Sequence, residues 1–176
     1  MEEKYPKSFT VPKSLIGMIC ANIALNDFAA ARAALARLEA AYPPYAQVPA
    51  VIFAKAVLEL NGRNYTASQK LFSRLDTPEA RFFLGKAYIY EGKTYMAAGV
   101  FEGLLKDYPA TDLKEEVEFL SADSFFYARD YNGAILKYQE FLKKNPASKL
   151  KNAAAFRIGA APVSYTHLTL PTIYSV

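Results

Sequence analysis

Prolines that follow apolar, helix-forming stretches recur along the chain at nearly regular intervals. They stand in the pairs Tyr5-Pro6, Tyr42-Pro43, Thr77-Pro78, Tyr108-Pro109 and Asn145-Pro146, and the prolines are 37, 35, 31 and 37 residues apart. Proline fixes φ and has no backbone N–H, so it suits the boundary between two helices. A period of this length indicates a repeat architecture, in which one unit cannot bury its apolar face alone and stacks on its neighbours.

A second pattern recurs inside each unit, at the predicted start of a helix. A polar residue precedes an aromatic one in Asp27-Phe28, Asn64-Tyr65, Thr94-Tyr95 and Asp130-Tyr131. Such polar side chains cap a helix by accepting a hydrogen bond from its first turn, which contributes about 1 kcal/mol. Three residues after the aromatic stands a small residue, and ten residues after it a bulky one: Ala31, Ser68, Ala98 and Ala134, then Leu38, Leu75, Leu105 and Phe141. Small residues let helices approach closely, and bulky ones fill the groove beside them.

The third copy departs from this pattern by one position. Glu102 stands where the other copies have Leu35, Phe72 and Tyr138, and Phe101 lies next to it. A one-residue offset in the loop before this helix would bring the copies into agreement, with Phe101 in the core position.

Together these signals predict nine helices in pairs, with no strand before the C-terminal tail. The first helices of the pairs are predicted near residues 13–25, 47–60, 78–91, 113–128 and 148–160, and the second helices near 28–41, 65–75, 95–107 and 131–144. The expected fold class is therefore all-α, an α-solenoid of stacked antiparallel helix pairs.

Composition narrows the classes of function. The chain has 176 residues, 52% hydrophobic and 22% charged, which is enough for one domain or a short repeat array. A single cysteine and a single histidine argue against a disulfide framework and against a Cys-rich or His-based metal site, and no cofactor is expected. The net charge of +4 is spread along the chain, so it does not indicate nucleic acid. No apolar stretch reaches the ~20 residues that a transmembrane helix needs.

The third and fourth units carry a known motif. Leu84-Gly85, Tyr88, Ala97, Phe101 and Pro109 resemble the tetratricopeptide repeat pattern, and Ala122, Phe125, Ala134, Tyr138 and Pro146 stand at equivalent places in the fourth unit. Arg81 stands where the pattern favours tryptophan, and the fifth unit begins with Ile158-Gly159. The resemblance spans residues 12–160, about four and a half units. It implies a non-enzymatic scaffold that binds a protein or peptide partner.

Units that end in Tyr-Pro or Asn-Pro also resemble a narrower group of repeats. These belong to bacterial envelope proteins, namely the outer-membrane assembly lipoproteins and the periplasmic coordinator associated with the Tol-Pal system. That resemblance implies an alternative function, as a structural subunit of an envelope complex in the periplasm or at the outer membrane. Without it, a cytoplasmic location is expected.

Both ends of the chain are interpreted separately from the array. Residues 1–11 are expected to be the end of a preceding repeat or disordered, because Tyr5-Pro6 has the form of a unit's end. The stretch from Val163 to Thr172 resembles one reading frame of a transposon-end sequencing adapter. Residues 162–176 are therefore interpreted as a non-native tail that includes His167, and residues 12–161 as the array of a truncated, metagenomic fragment.

Candidate catalytic groups have simpler structural explanations. Cys20 lies among isoleucines at helical spacing and is expected to be a small buried side chain rather than a reactive thiol. The run Glu115-Glu116-Val117-Glu118 is expected at the first turn of a helix, where negative charge complements the macrodipole, with Asp112 in a capping position. The glycines between residues 85 and 103 are too scattered for a phosphate loop. The basic stretch from Lys143 to Arg157 is interpreted as a solvated face.

The resemblance places one set of residues on the concave face, which first helices line. They are Phe82, Lys86, Ile89 and Tyr90 in the third unit, Phe119, Asp123, Phe126 and Tyr127 in the fourth, Phe156 in the fifth, and Phe53 as a counterpart in the second. Phe82, Phe119 and Phe156 are 37 residues apart, so stacking would set them in a row, and exposed apolar patches mark binding surfaces. The alternative is that these rings pack between neighbouring first helices. Phe82 and Phe119 stand where the Lys and Asn clamp of some co-chaperones needs a donor to hold a C-terminal carboxylate, so chaperone-tail binding is not expected.

Overall fold

The computed structural model describes the backbone of residues 10–169 and the side chains of residues 10–161. Over this range the chain forms nine α-helices and one short 3-10 helix, Pro43–Gln47, with no strand. The helices are α1 Thr10–Ala24, α2 Phe28–Ala41, α3 Pro49–Asn61, α4 Tyr65–Phe72, α5 Pro78–Tyr90, α6 Thr94–Asp107, α7 Lys114–Tyr127, α8 Tyr131–Lys144 and α9 Lys151–Thr169. Neighbouring helices pack in pairs, which confirms the predicted all-α, solenoid-type fold class.

The observed helices differ from the predicted ones mainly at their ends. The 3-10 helix was not predicted; its two consecutive prolines, Pro43 and Pro44, stand at its first two positions, where no backbone N–H is needed. Helix α4 ends at Phe72 rather than near residue 75. Helix α9 begins at Lys151 and continues to Thr169, so residues 162–169 of the predicted tail are helical. Residues 1–9, with Tyr5-Pro6, and residues 170–176 lie outside the described part of the chain.

The chain divides into two compact units, Met1–Ala87 and Tyr88–Val176, and the division falls within α5. In the first unit, α1, α2 and α3 share a core that is centred on fully buried Ile19, Leu38 and Val51. A second core in the same unit joins α3, α4 and the first part of α5 around Phe72. Its rings form a tight cluster, since the Phe72 centroid lies 5.5 Å from that of Phe53 and 5.7 Å from that of Phe83.

In the second unit, α7, α8 and α9 enclose a core of aromatic and alanine side chains. Tyr138 and Phe141 of α8 are almost fully buried there, together with Ala122 and Ala154. Small side chains on α7 and α9 let both helices approach α8 closely, which is the role predicted for small residues in each unit. All four of the predicted small residues are buried: Ala31, Ser68, Ala98 and Ala134.

The residue before three of the inter-pair prolines, Pro43, Pro109 and Pro146, stops the preceding second helix in the same conformation. Tyr42, Tyr108 and Asn145 have φ of −137°, −127° and −124° and ψ of 60°, 63° and 61°. Each donates its N–H to the carbonyl four residues earlier, at 2.8 Å in all three cases. Proline disfavours the helical region for the residue before it, so the helix must end there. The proline period thus sets the helix boundaries, as predicted, for α2, α6 and α8.

A left-handed residue ends each first helix from α1 to α7. These residues are Asn26 with φ 59°, Arg63 with φ 62°, Gly92 with φ 81° and Arg129 with φ 63°. In every case the next residue donates its N–H to a carbonyl five residues earlier, at 2.8–3.0 Å, which is the long bond of a Schellman motif. This motif was not predicted from the sequence, because only Gly92 is the glycine that usually signals it.

The predicted polar caps are confirmed for two of the four second helices. Asp27 and Asp130 each accept a hydrogen bond at 3.0 Å from the backbone N–H three residues later. Asn64 stands at the cap position of α4 but makes no side-chain cap bond; its amide donates to Glu59 at 2.7 Å instead. Thr94 is wrong as a cap, because α6 already begins at Thr94 and its cap residue is Lys93.

That early start of α6 confirms the predicted one-residue offset of the third copy. Counted from the first helical residue, Ala97, Phe101 and Leu104 of α6 take the places of Ala134, Tyr138 and Phe141 in α8. Phe101 and Leu104 are fully buried, and Glu102 is exposed. The departure seen in the sequence is therefore a shift of the loop, and the helix keeps the shared core pattern.

Two expectations from the sequence are wrong. Cys20 is exposed, because the buried face of α1 runs through Leu15 and Ile19 and leaves the adjacent residue outside. Asp112 does not cap α7; the cap residue is Leu113, although Glu115 and Glu116 lie in the first turn as predicted. Among the described residues, no helix is both long enough and apolar enough to cross a membrane.

Candidate functional site

The residues predicted on the concave face differ widely in exposure. Phe82, Phe119 and Asp123 are buried; Lys86, Ile89 and Phe126 are partly buried; Tyr90, Tyr127 and Phe156 are exposed. All three exposed rings belong to the second unit, and two of them, Tyr127 at 51% and Phe156 at 72% exposure, lie on the first helices α7 and α9. Both rings are exposed to solvent in the part of the chain that the structure describes.

The predicted row of exposed phenylalanines is wrong for two of its three members. Phe119 retains 9% exposure, because its ring packs against Tyr138 and Phe141 of α8 at centroid distances of 5.8 and 5.7 Å. Phe82 retains 5% exposure and lies edge-on to Phe83 at 5.4 Å. Both rings are therefore buried, as the alternative interpretation required, although the ring contacts of Phe119 are with the second helix α8 rather than with a neighbouring first helix. The counterpart in the second unit of the repeat, Phe53, also lies in the core cluster around Phe72.

Arg157 of α9 joins three of the predicted residues into one cluster. Its guanidinium carbon lies 4.9 Å from the ring centroid of Phe126 and 5.2 Å from that of Tyr127. Its Nη2 donates to the Tyr127 hydroxyl at 2.7 Å, and its Nε lies 3.3 Å from Asp123 Oδ1. We call Phe126, Tyr127, Phe156 and Arg157 the Arg157 patch. Stacking on aromatic faces and a carboxylate contact hold the guanidinium in one orientation.

Asp123 anchors this patch to the core. The buried Tyr138 hydroxyl of α8 donates a hydrogen bond to the same Oδ1 that faces Arg157. Burial raises the pKa of the Asp123 carboxyl above its usual value of 3.8, although the Tyr138 bond and the Arg157 charge oppose that shift. Burial and the neighbouring carboxylate raise the pKa of Tyr138 above its ordinary range, so Tyr138 acts as a neutral donor. The network links α7, α8 and α9 through one carboxylate.

Arg157 was not predicted as a site residue, because it lies in the basic stretch that was interpreted as a solvated face. Its role depends on contacts with α7 that span 30 residues of sequence to Tyr127 and 34 to Asp123. The cation, the aromatic rings and the hydrogen-bonding groups suit recognition of a polypeptide. Among the described residues, no group of three His, Cys, Asp or Glu side chains could hold a metal ion.

The helices that carry this cluster also carry the recognisable repeat. Residues 116–148 match the family model of the tetratricopeptide repeat. The match covers most of α7, all of α8 and the proline turn that follows, which is the fourth unit of the predicted array. The comparison with curated proteins gives no match for this chain.

The tetratricopeptide repeat match agrees with the packing of the fourth unit. Ala122, Ala134 and Tyr138, which the motif places at contact positions, have no exposed surface. The match supports a protein-interaction scaffold as the general class of function. It covers one unit, and it supports the resemblance on which the whole array was predicted.

Proposed function

We propose that this chain is a non-enzymatic protein-interaction scaffold and that the Arg157 patch binds a peptide or helix of a partner protein. The observation that carries the proposal is the exposure of Tyr127, whose ring contacts the Arg157 guanidinium, and of Phe156, the residue before Arg157 on α9. Tyrosine and arginine are enriched among residues that dominate binding energy, and prior ordering reduces the entropy lost on binding.

The chemistry of the patch indicates the kind of peptide that would bind. The described bonds of Arg157 use Nε and Nη2, and a guanidinium carries five N–H donors, so donors remain for a carbonyl or carboxylate of the partner. Phe156 offers an apolar ring on the same helix. A segment with one large apolar residue near an acidic residue or a free backbone carbonyl would satisfy both. Ile89 and the exposed Tyr90 belong to the same unit as the patch and remain candidate contacts, while Lys86 belongs to the first unit and remains a separate prediction.

Selection from a random peptide library tests the proposal without a known partner. Peptides enriched on the wild-type chain would be measured by titration against Phe156→Ala and Tyr127→Ala. We expect each substitution to weaken binding about tenfold or more, as truncation of a central aromatic contact does. Leu136→Ala is the matched control, because Leu136 is 68% exposed on the second helix α8.

The Leu136→Ala control distinguishes binding at the Arg157 patch from nonspecific binding to exposed apolar side chains. Peptides that lose affinity equally for the Leu136→Ala and Phe156→Ala variants would contradict the proposal. Peptides that bind well but ignore both Tyr127→Ala and Phe156→Ala would place binding on another surface. That result would favour the alternative predicted from the sequence, a structural subunit of an envelope complex that uses other faces of the array.

A further inference from the structure

A small cavity opens in the second unit between α6, α7 and α8. Its volume is about 100 Å³, and its walls combine apolar and charged residues. Leu105 of α6 and Phe141 of α8 supply apolar surface, and α7 contributes Glu118 and Ser121. We call this cavity the Ser121 pocket. It lies among the second helices α6 and α8, whereas the Arg157 patch lies on α7 and α9.

Ser121 supplies an unused hydrogen-bonding group in the pocket. The residue is 3% exposed, and its Oγ has no hydrogen-bond partner among the described residues. A buried hydroxyl without a partner is destabilising, and most buried polar groups in folded proteins are paired. By contrast Ser124, three residues further along α7, bonds to the Leu120 carbonyl at 2.8 Å. The Ser121 hydroxyl can therefore form a hydrogen bond with a group that enters the pocket.

The charges around the pocket favour a cation. Three carboxylates and two ammonium groups line it, Glu102, Glu118 and Glu140 with Lys137 and Lys144. The outer pairs are close, with Lys137 to Glu102 at 2.6 Å and Lys144 to Glu140 at 2.8 Å. Glu118 is the least exposed of the three, with 10% of its side-chain surface accessible, and its contact with Lys144 is long at 3.8 Å. Glu118 Oε2 already accepts a hydrogen bond from the Asn145 amide at 2.8 Å, so a second cation would pair with Oε1, whose described contact is the long one to Lys144.

Glu118 and Ser121 are three residues apart on α7 and therefore lie on one face of the helix. We propose that the Ser121 pocket binds the primary ammonium group of a lysine side chain from a partner polypeptide. The ammonium donates to the Glu118 carboxylate and to Ser121 Oγ, while its methylene stem packs on Leu105 and Phe141. An ammonium is compact and carries three donors, whereas a guanidinium needs a planar, two-oxygen partner.

NMR titration of the full chain with small probes tests this assignment. The probes are Nα-acetyl-lysine methylamide, its arginine counterpart, n-butylammonium and neutral n-butanol, each followed at the amide signals of Glu118 and Ser121. We expect saturable shifts with the lysine probe, weaker binding of the arginine probe and none of n-butanol. Glu118→Gln and Ser121→Ala should each weaken the lysine probe about tenfold, the effect of one lost charge-assisted hydrogen bond.

Glu116→Gln is the matched control, because Glu116 is an exposed carboxylate on α7 that does not line the pocket. It should leave the affinity of the lysine probe within about twofold, since exposed charges interact weakly through water. Ser121→Ala removes an unpaired group and should fold normally, so its loss of binding cannot come from unfolding. Equal shifts with n-butanol, binding of n-butylammonium alone, or unchanged affinity of both pocket variants would overturn the proposal. None of these results bears on the Arg157 patch.

Discussion

Ser121 and Asp123 lie two residues apart on α7, and both side chains are buried. They differ in whether the polar group has a hydrogen-bond partner. The Ser121 hydroxyl has no partner among the described residues, while Asp123 Oδ1 accepts from Tyr138 and faces Arg157. Serine and aspartate are residue types that are mostly exposed, so neither is expected on the buried face of a helix. Both are explained by contacts with other helices, and this is why the sequence pointed to Asp123 only through family resemblance and did not single out Ser121.

Ser121→Ala is expected to raise the free energy of unfolding by about 1 kcal/mol. The substitution removes a buried hydroxyl that has no described partner and adds a better helix former, and each effect favours the folded chain. Urea unfolding measures the change. Destabilisation would mean that the hydroxyl is paired in solution, for instance through a bound water.

Asp123→Ala is expected to lower the free energy of unfolding by about 1–3 kcal/mol, because it leaves the buried Tyr138 hydroxyl without an acceptor. Asp123→Asn keeps an acceptor and should cost less. Tyr138→Phe combined with Asp123→Ala should recover part of the loss, since the orphaned hydroxyl is then gone. Unfolding of the three variants in urea gives the comparison, and equal losses for Asn and Ala at this position would contradict the described hydrogen bond.

The pH dependence of stability follows from the raised pKa of Asp123. A group whose folded pKa is raised binds its proton more tightly in the folded state, so its contribution is full below the unfolded pKa and is lost as pH rises. The wild-type chain should therefore lose stability relative to Asp123→Asn as pH increases upward from about 4. Urea unfolding of both proteins between acid and neutral pH measures the difference. A difference that grows in the opposite direction would reverse the sign assigned here.

At the scale of elements, the turns between paired helices share one backbone geometry but not one sequence. Asn26, Arg63, Gly92 and Arg129 all adopt left-handed φ, and only one of them is glycine. The period of the prolines predicted where second helices end because proline acts through its own covalent structure. The left-handed turns escaped prediction because the tertiary contacts of the hairpin, rather than the residue type, impose that conformation on two arginines.

Arg129→Gly is expected to raise the free energy of unfolding by about 0.5–1 kcal/mol. Left-handed φ costs a residue with a Cβ about 1–2 kcal/mol, and the greater chain entropy of glycine offsets part of that gain. Gly92→Ala tests the same geometry in reverse and should lower stability by a similar amount. A Cβ at Gly92 would meet no atom within 4 Å, so the effect there is on the backbone alone. Thermal unfolding that moves in the same direction for both variants would contradict this account.

Some second helices begin with a side-chain cap bond and others lack it, which allows a paired test of capping. Asp130→Ala should cost about 1 kcal/mol, because it removes the acceptor for the Gly133 N–H. Asn64→Ala is the matched control at the same position of the hairpin. It should cost less, since its side chain makes no cap bond and contacts the partly buried Glu59 instead. Chemical unfolding of both variants decides the matter, and similar losses would mean that the cap bond of Asp130 is unimportant.

At the scale of the whole molecule, sequence periodicity predicted the number and order of helices, because stacking of like units makes every core position recur. It did not predict which recurring positions stay exposed. Phe119 and Phe156 occupy equivalent places 37 residues apart, yet one is 9% and the other 72% exposed. The difference depends on whether another helix covers the ring, as α8 covers Phe119, and a repeat motif carries no information about that neighbour.

Hydrogen exchange should therefore vary along the second unit. Between Lys151 and Ala161 only Ala154 and Ala161 of α9 are buried, whereas α8 buries Tyr138 and Phe141. Because local opening is easiest where few apolar contacts are lost, amides in this part of α9 should exchange faster than those of α8. Exchange followed by mass spectrometry or NMR gives the comparison. Equal protection of the two helices would show that α9 is held by contacts beyond those described.

The common stop before the inter-pair prolines has a consequence for how such a chain can grow. Tyr42, Tyr108 and Asn145 share nearly the same φ and ψ although their side chains differ. The direction in which the chain leaves these three second helices is therefore set by the φ and ψ of the one residue before the proline. A duplicated helix pair joined through the same residue and proline would leave the preceding helix in the same direction. Evolution or an engineer would then need to refine only the surface on which it packs against the preceding pair.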